Sequence, residues 1–138
     1  MTNKKGFTLF ELLVSISIIA ILVAVASTSY GVMQKKARDS RRIEDLNAIQ
    51  KALEQYYGNN NYTYPVAESN LAVGLTPDFM ENWPSDPKSG SGYVYTNNVA
   101  DNSYCVCVVM DNLTSGNSST QACSFDGPGP NYCVKNQQ

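Results

Sequence analysis

The sequence predicts an α+β fold: one long N-terminal α-helix, packed through its second half on a small antiparallel β-sheet. Three observations predict it. An uncharged apolar run from Leu12 to Ala26 holds no Pro or Gly. A stripe of apolar residues at three- and four-residue spacing follows it without a proline. Short alternating segments rich in Tyr, Val and Cys then close the chain.

The first element is the apolar run. Only Ser15 and Ser17 are polar between Leu12 and Val25. From Phe7 to Tyr30 the segment has the length of a membrane-spanning helix, about 20 residues. Lys4, Lys5 and Gly6 precede it, and Glu11 stands just inside it. An ionised group within such a span costs roughly 2.5 kcal/mol or more, so Glu11 calls for a partner. Snorkelling to the interface is the plainer account of it. The basic start also suits a secretory signal with a cut after Ala24-Val25-Ala26.

The helix continues past the span. Ile43, Leu46, Ile49, Leu53 and Tyr56 or Tyr57 line one face, with Glu44, Asp45, Gln50, Lys51 and Glu54 between them. Gly58 and Asn59-Asn60-Asn61 are stop signals. A helix from Phe7 to Tyr57 would be roughly 75 Å long, more than a small domain covers. Half of it therefore belongs in lipid or in other subunits. A loop is expected from Val66 to Gly74, and an ordered Pro-rich turn region from Leu75 into Tyr95. Strands are expected over Gly92–Asn97, Ser103–Asp111 and Asn131–Lys135.

The run Lys4-Lys5-Gly6-Phe7-Thr8-Leu9-Phe10-Glu11-Leu12-Leu13-Val14 closely resembles the start of the type IV pilin and type II secretion pseudopilin family. The segments Asn47–Pro65 and Leu75–Tyr95 are similar to later parts of that family. The resemblance implies a leader of residues 1–6, cleavage between Gly6 and Phe7 by a prepilin peptidase, and N-methylation of Phe7. It also implies pairing of Glu11 with the Phe7 amine of a neighbouring subunit during assembly. In a helix, Phe7 and Glu11 share a face. The expected organisation is a leader over 1–6, a transmembrane and filament-core helix over 7–30, an amphipathic half over 31–57 and a globular head over 58–138. Ala20 and Thr28 stand where many members carry a glycine and a proline that soften the helix.

Function follows as an expectation: a structural subunit of a pilus-like filament, a helical homopolymer of this chain. Its partners would be the membrane, the peptidase, an inner-membrane platform protein and, indirectly, an assembly ATPase. The alternatives are the major pseudopilin of a type II secretion system and a single-pass anchored binding domain that never polymerises. The N-terminus would lie in the cytoplasm and the head outside it, then in a pilus or a periplasmic pseudopilus.

Charge gives a conflicting signal. Lys35, Lys36, Arg38, Arg41 and Arg42 follow the span, against Lys4 and Lys5 before it, which would hold the head inside. The processing motif and the four cysteines argue for the outside. The basic cluster would then meet anionic lipid headgroups, acids of neighbouring subunits, or solvent. After Tyr57 the chain has seven acids and two lysines, which disfavours nucleic-acid binding by the head.

Cys105, Cys107, Cys123 and Cys133 are an even set in a small exported domain, the pattern of disulfides. Cys105 and Cys107 share one strand face and are poorly placed to bond each other, so each is expected to join Cys123 or Cys133. Zinc is disfavoured by the Cys-x-Cys spacing and the lack of any His. Ser124-Phe125-Asp126-Gly127 is faintly similar to the calcium loop of the major secretion pseudopilin. Asp126 stands far in sequence from Asp111 and Asp101, so a polar turn is the preferred reading and no metal or other cofactor is expected. No catalytic motif is present, and with no His a Ser or Cys nucleophile lacks its commonest base. The chain reads as a non-enzyme.

Overall fold

A computed structural model describes residues 6–88 and 92–138. Met1 to Lys5, which hold most of the expected leader with its two lysines, and residues 89–91 of the Pro-rich region lie outside the described residues. The element order is α1 (Leu9–Asn59), β1 (Ala67–Glu68), β2 (Leu71–Ala72), β3 (Val94–Asn98), β4 (Ser103–Val109) and β5 (Asn131–Lys135). The α+β class is therefore as expected: one long helix and two small antiparallel sheets. By contacts the chain divides into two units, Met1–Gln34 and Lys35–Gln138.

In the first unit the large apolar side chains from Phe7 into α1 as far as Val25 are exposed. Ser15, Ser17 and Ser27 do not break the helix, because their hydroxyls are turned back onto it. Ser15 donates to the Glu11 carbonyl at 2.7 Å, Ser17 to Val14 at 2.8 Å and Ser27 to Ala24 at 3.0 Å. Gly31 does not interrupt the helix either.

In the second unit α1 lays Leu46, Ile49 and Leu53 into the core with no exposure. Ile43, Tyr56 and Tyr57 pack half-buried beside them. The helix runs through Gly58 to Asn59, two residues beyond the predicted Tyr57. The chain turns at Asn61 and Tyr62, both left-handed at φ 53° and 56°, where Tyr62 N–H donates to the Tyr57 carbonyl at 3.1 Å.

The expected loop from Val66 to Gly74 instead contains a hairpin. Ala67 pairs with Ala72 and Glu68 with Leu71, across Ser69 and Asn70 at φ 51° and 66°. Two positive-φ residues are what a two-residue hairpin turn requires. The main sheet has the order β3-β4-β5. β3 starts two residues later and ends one later than expected. β4 stops at Val109: the Met110 N–H still bonds the Pro130 carbonyl opposite it at 2.8 Å, but Pro130 has no N–H to return a bond. β5 has the expected bounds.

β4 is covered on both faces. Tyr104, Val106 and Val108 face the helix and join the core, while Cys105 and Cys107 face the C-terminal loops. The free edge of β5 is closed by residues 116–118. Gly116 pairs with Gly129 and Ser118 with Asn131. The Asn117 amide accepts from Cys133 N–H at 2.8 Å and donates to its carbonyl at 2.9 Å, as a strand backbone would. An edge so occupied does not offer itself for pairing with another chain.

Candidate functional site

The head of α1 is built by Thr8 and Glu11. Glu11 N–H donates to Thr8 Oγ1 at 3.2 Å, and Thr8 N–H returns a bond to Glu11 Oε2 at 2.9 Å. The Thr8 hydroxyl donates to the same Oε2 at 2.9 Å. This is a capping box, with a Thr and a Glu three residues apart each satisfying an orphan donor at the helix start. The Thr8-x-x-Glu11 spacing in the sequence is the signal of this box. In the intact chain Phe7 is in peptide linkage to Gly6, so the amine that Glu11 is expected to meet exists only after cleavage. In the uncut chain Thr8 holds the carboxylate. Phe7 itself is 90% exposed.

Beyond the apolar run, the five cations that read as one cluster part company. Arg42 is only 1% exposed. It forks onto Asp86, from Nε at 2.7 Å and Nη2 at 2.9 Å, and donates to Asp39 from Nη1 at 2.8 Å. Asp111 lies 3.4 Å from the same Nη1 and also pairs with Arg38 and Lys88. The Asp39 carboxylate accepts the backbone N–H groups of Asp111 and Asn112 at 2.8 and 3.0 Å. The Arg42 guanidinium, forked onto Asp86, is held even more firmly protonated than usual, although its burial works the other way. Burial pushes the Asp111 carboxyl up, but the Arg38 hydrogen bond and the charges of Arg42, Arg38 and Lys88 outweigh it and hold it below the usual carboxylate range. Lys35, Lys36 and Arg41 are exposed and enter no ion pair among the described residues. Only the Asp39–Arg42 spacing of three was legible in the sequence. Asp86 and Asp111 lie 44 and 73 residues from their arginines.

Glu54 is a second anchor. It accepts the Tyr64 and Tyr104 hydroxyls at 3.0 and 3.1 Å, and Asp45 takes the Tyr93 hydroxyl at 2.6 Å. Burial, with these carboxylates, pushes all three phenols well above their ordinary range.

Of the two pairings left open for the cysteines, the structure joins Cys105 to Cys123 and Cys107 to Cys133. Cys107 and Cys133 stand directly opposite in the β4–β5 register, with Cα atoms 4.1 Å apart. The four sulfurs gather within 4.8 Å of one another. That is compact enough for a tetrathiolate metal site. The surroundings suit neutral sulfur better: the Val134 carbonyl lies 3.4 Å from Cys123 Sγ and the Thr120 carbonyl 3.7 Å from Cys133 Sγ. Oxygens bearing negative partial charge oppose a cluster of thiolates.

Asp126 is exposed and tied inside its own loop. It accepts the Ser119 N–H at 2.8 Å, the Ser119 hydroxyl, and the Ser124 hydroxyl at 3.1 Å. Those bonds, chiefly from Ser119, hold its carboxyl down at about 2. Asp111 is engaged in the arginine cluster and Asp101 accepts from Asn98 at 2.6 Å, so the three acids do not converge.

Residues 1–27 match the prokaryotic N-terminal methylation motif. The chain is 47% identical over 76 residues to the type IV wide pilus major component PilA4 of Thermus thermophilus, covering 54% of this chain and 57% of that protein. It is 29% identical over 108 residues to the type II secretion system core protein G of Escherichia coli, covering 69% and 73%. It is 30% identical over 93 residues to the type IV major pilin protein PilE of Neisseria gonorrhoeae, covering 67% and 55%. The chain thus spans little more than half the length of several relatives it matches. No solved structure matches it significantly. The chain is a relative of the type IV pilins and the type II secretion pseudopilins, and it carries their N-terminal methylation motif.

Proposed function

We propose that this chain is a structural subunit of a type IV pilus-like filament, made as a membrane-inserted prepilin, cut after Gly6, methylated at Phe7 and polymerised through its N-terminal helix. The observation that carries the proposal is the apolar half of α1. Thirteen large apolar side chains from Phe7 to Val25 are exposed. At about 1.5–3 kcal/mol each, leaving them in water forfeits on the order of 20 kcal/mol or more. Such a segment waits in lipid and then packs against copies of itself. Glu11 is the one charged group in it, and the new amine at Phe7 gives it a partner that Thr8 does not: a cation. Pairing across subunits rewards one axial register.

The prepilin peptidase, a platform protein in the inner membrane and an assembly ATPase are the partners this reading requires, since the chain contains no motor. The head lies outside the cytoplasm, where its disulfides persist. The secretion pseudopilin remains a second reading, favoured by the relatives named type II secretion system core protein G in several bacteria.

The test is the intact mass of the membrane-extracted chain together with Glu11→Ala. A chain beginning at Phe7 with one added methyl, and a Glu11→Ala variant that inserts but forms no sedimentable filament, is the expected result. An uncut chain in the presence of the peptidase, or filaments unaffected by Glu11→Ala, leaves an anchored domain instead. A cut after Ala26 makes the run a secretory signal.

A further inference from the structure

The fold sorts the basic residues after the apolar run into two sets. Arg38 and Arg42 are spent inside the head on Asp39, Asp86 and Asp111. Lys35, Lys36 and Arg41 are left exposed, with no carboxylate in ion-pair distance among the described residues. At about 100° per residue, these three point to different sides of the helix rather than along one face. A ring of cations does not suit a single protein groove. It suits a surface that surrounds the helix.

We infer that Lys35 and Lys36, supported by Arg41, bind the headgroups of anionic phospholipids in the leaflet that α1 leaves on the side of the head. The inference rests on the membrane-anchored reading of α1, which the filament and the anchored-domain readings share. Tyr30 is the last aromatic residue of the apolar segment and marks a typical interfacial position. Lys35 and Lys36 follow it by five and six residues, about 8–9 Å of helix, or one Debye length at physiological salt. Arg41 is about 16 Å along, where the attraction is already much screened. Lysine stems reach back along a helix while the ammonium stays at the polar surface. After Tyr57 seven acids face two lysines, so without these cations an anionic membrane would repel the head. For a filament subunit the contact is a brake, because it must be released when the subunit leaves the membrane.

The test uses the full chain reconstituted in vesicles of phosphatidylcholine alone or with phosphatidylglycerol. Lysines are acetylated with an uncharged reagent and followed by mass spectrometry. Lys51 and Lys135 serve as internal references, and flotation with the vesicles reports insertion separately. Each juxtamembrane cation gains about 1 kcal/mol at an anionic surface, so Lys35 and Lys36 should react about five-fold more slowly with phosphatidylglycerol present. Added salt should restore their rates, and inorganic phosphate with neutral vesicles should not protect them. Equal rates in the two lipids, or equal slowing at Lys51 and Lys135, overturns the inference. Protection that arises only after assembly assigns these cations to acids of a neighbouring copy and overturns it too. A chain that fails to float takes the membrane reading down with it.

Discussion

Replacing Arg42 by Met should be among the most damaging single changes in the head. The side chain is 1% exposed, and the carboxylates of Asp86, Asp39 and Asp111 against it are 3%, 8% and 6% exposed. Three acids are balanced there by Arg38, Arg42 and Lys88. Methionine fills the volume but leaves buried negative charge without its best partner. Breaking a buried pair from one side costs about 3–5 kcal/mol. A domain of this size has about 5–15 kcal/mol in total. Arg42→Lys keeps the charge and loses the two-pronged bond to Asp86, and should cost about 1.5–3 kcal/mol. Arg41→Gln, exposed and in no ion pair among the described residues, should stay within about 0.5 kcal/mol. The assay is guanidinium unfolding of the full chain in detergent with disulfides intact, followed by Trp83 fluorescence at constant slope. If Arg42→Met lies within about 1 kcal/mol of wild type, the cluster is solvated in solution and the argument from burial fails.

Other outcomes follow from the same structure. Asp111 titrates below its ordinary range in the folded state, so its contribution is present above the unfolded pKa, about 3.9, and is lost as pH falls through the lower folded value. Acid unfolding should therefore steepen below about pH 4, and Asp111→Asn, though less stable at neutral pH, should flatten that limb. Gly116→Ala should cost about 2–3 kcal/mol or more, because its Cβ would stand 2.0 Å from the Asn131 carbonyl oxygen, whereas Gly58→Ala, in the helix with nothing within 4 Å, should stabilise by about 0.5–1 kcal/mol. Thermal unfolding of the two variants checks the opposite signs. Replacing Cys107 and Cys133 together by Ser should lose about 3 kcal/mol through a loop of 26 residues, read from denaturant midpoints; no loss would mean the bond is not formed in the isolated protein.

Both residue patterns of α1 survived folding because they are local. The apolar run and the stripe Leu46, Ile49 and Leu53 need only the helical period to place them, and β5 needs only its alternation. The β1–β2 hairpin was missed because Ser69-Asn70 is a weaker turn signal than Asn-Gly, and its strands are two residues each. The capping box at Thr8 and Glu11 is local as well, since the three-residue spacing it requires stands in the sequence. At the candidate site, the residues that match the methylation motif stand in the sequence alone, while the bonding of the Glu11 carboxylate needed the geometry of Thr8.

What the sequence determined by itself is the architecture and the kinship: an apolar run of membrane-spanning length, an amphipathic stripe after it, and a start that matches the N-terminal methylation motif. Those properties depend on residues a few positions apart. What only the tertiary structure decided is which charges and cysteines meet. Arg42 finds Asp86 across 44 residues, and Arg38 finds Asp111 across 73. Cys107 finds Cys133 through the register of two strands. The basic run after the span is one stretch of sequence, but the fold takes two of its five members into ion pairs, the buried Arg42 and the part-exposed Arg38. No local rule separates Arg42 from Arg41. Only the position of the head's carboxylates does.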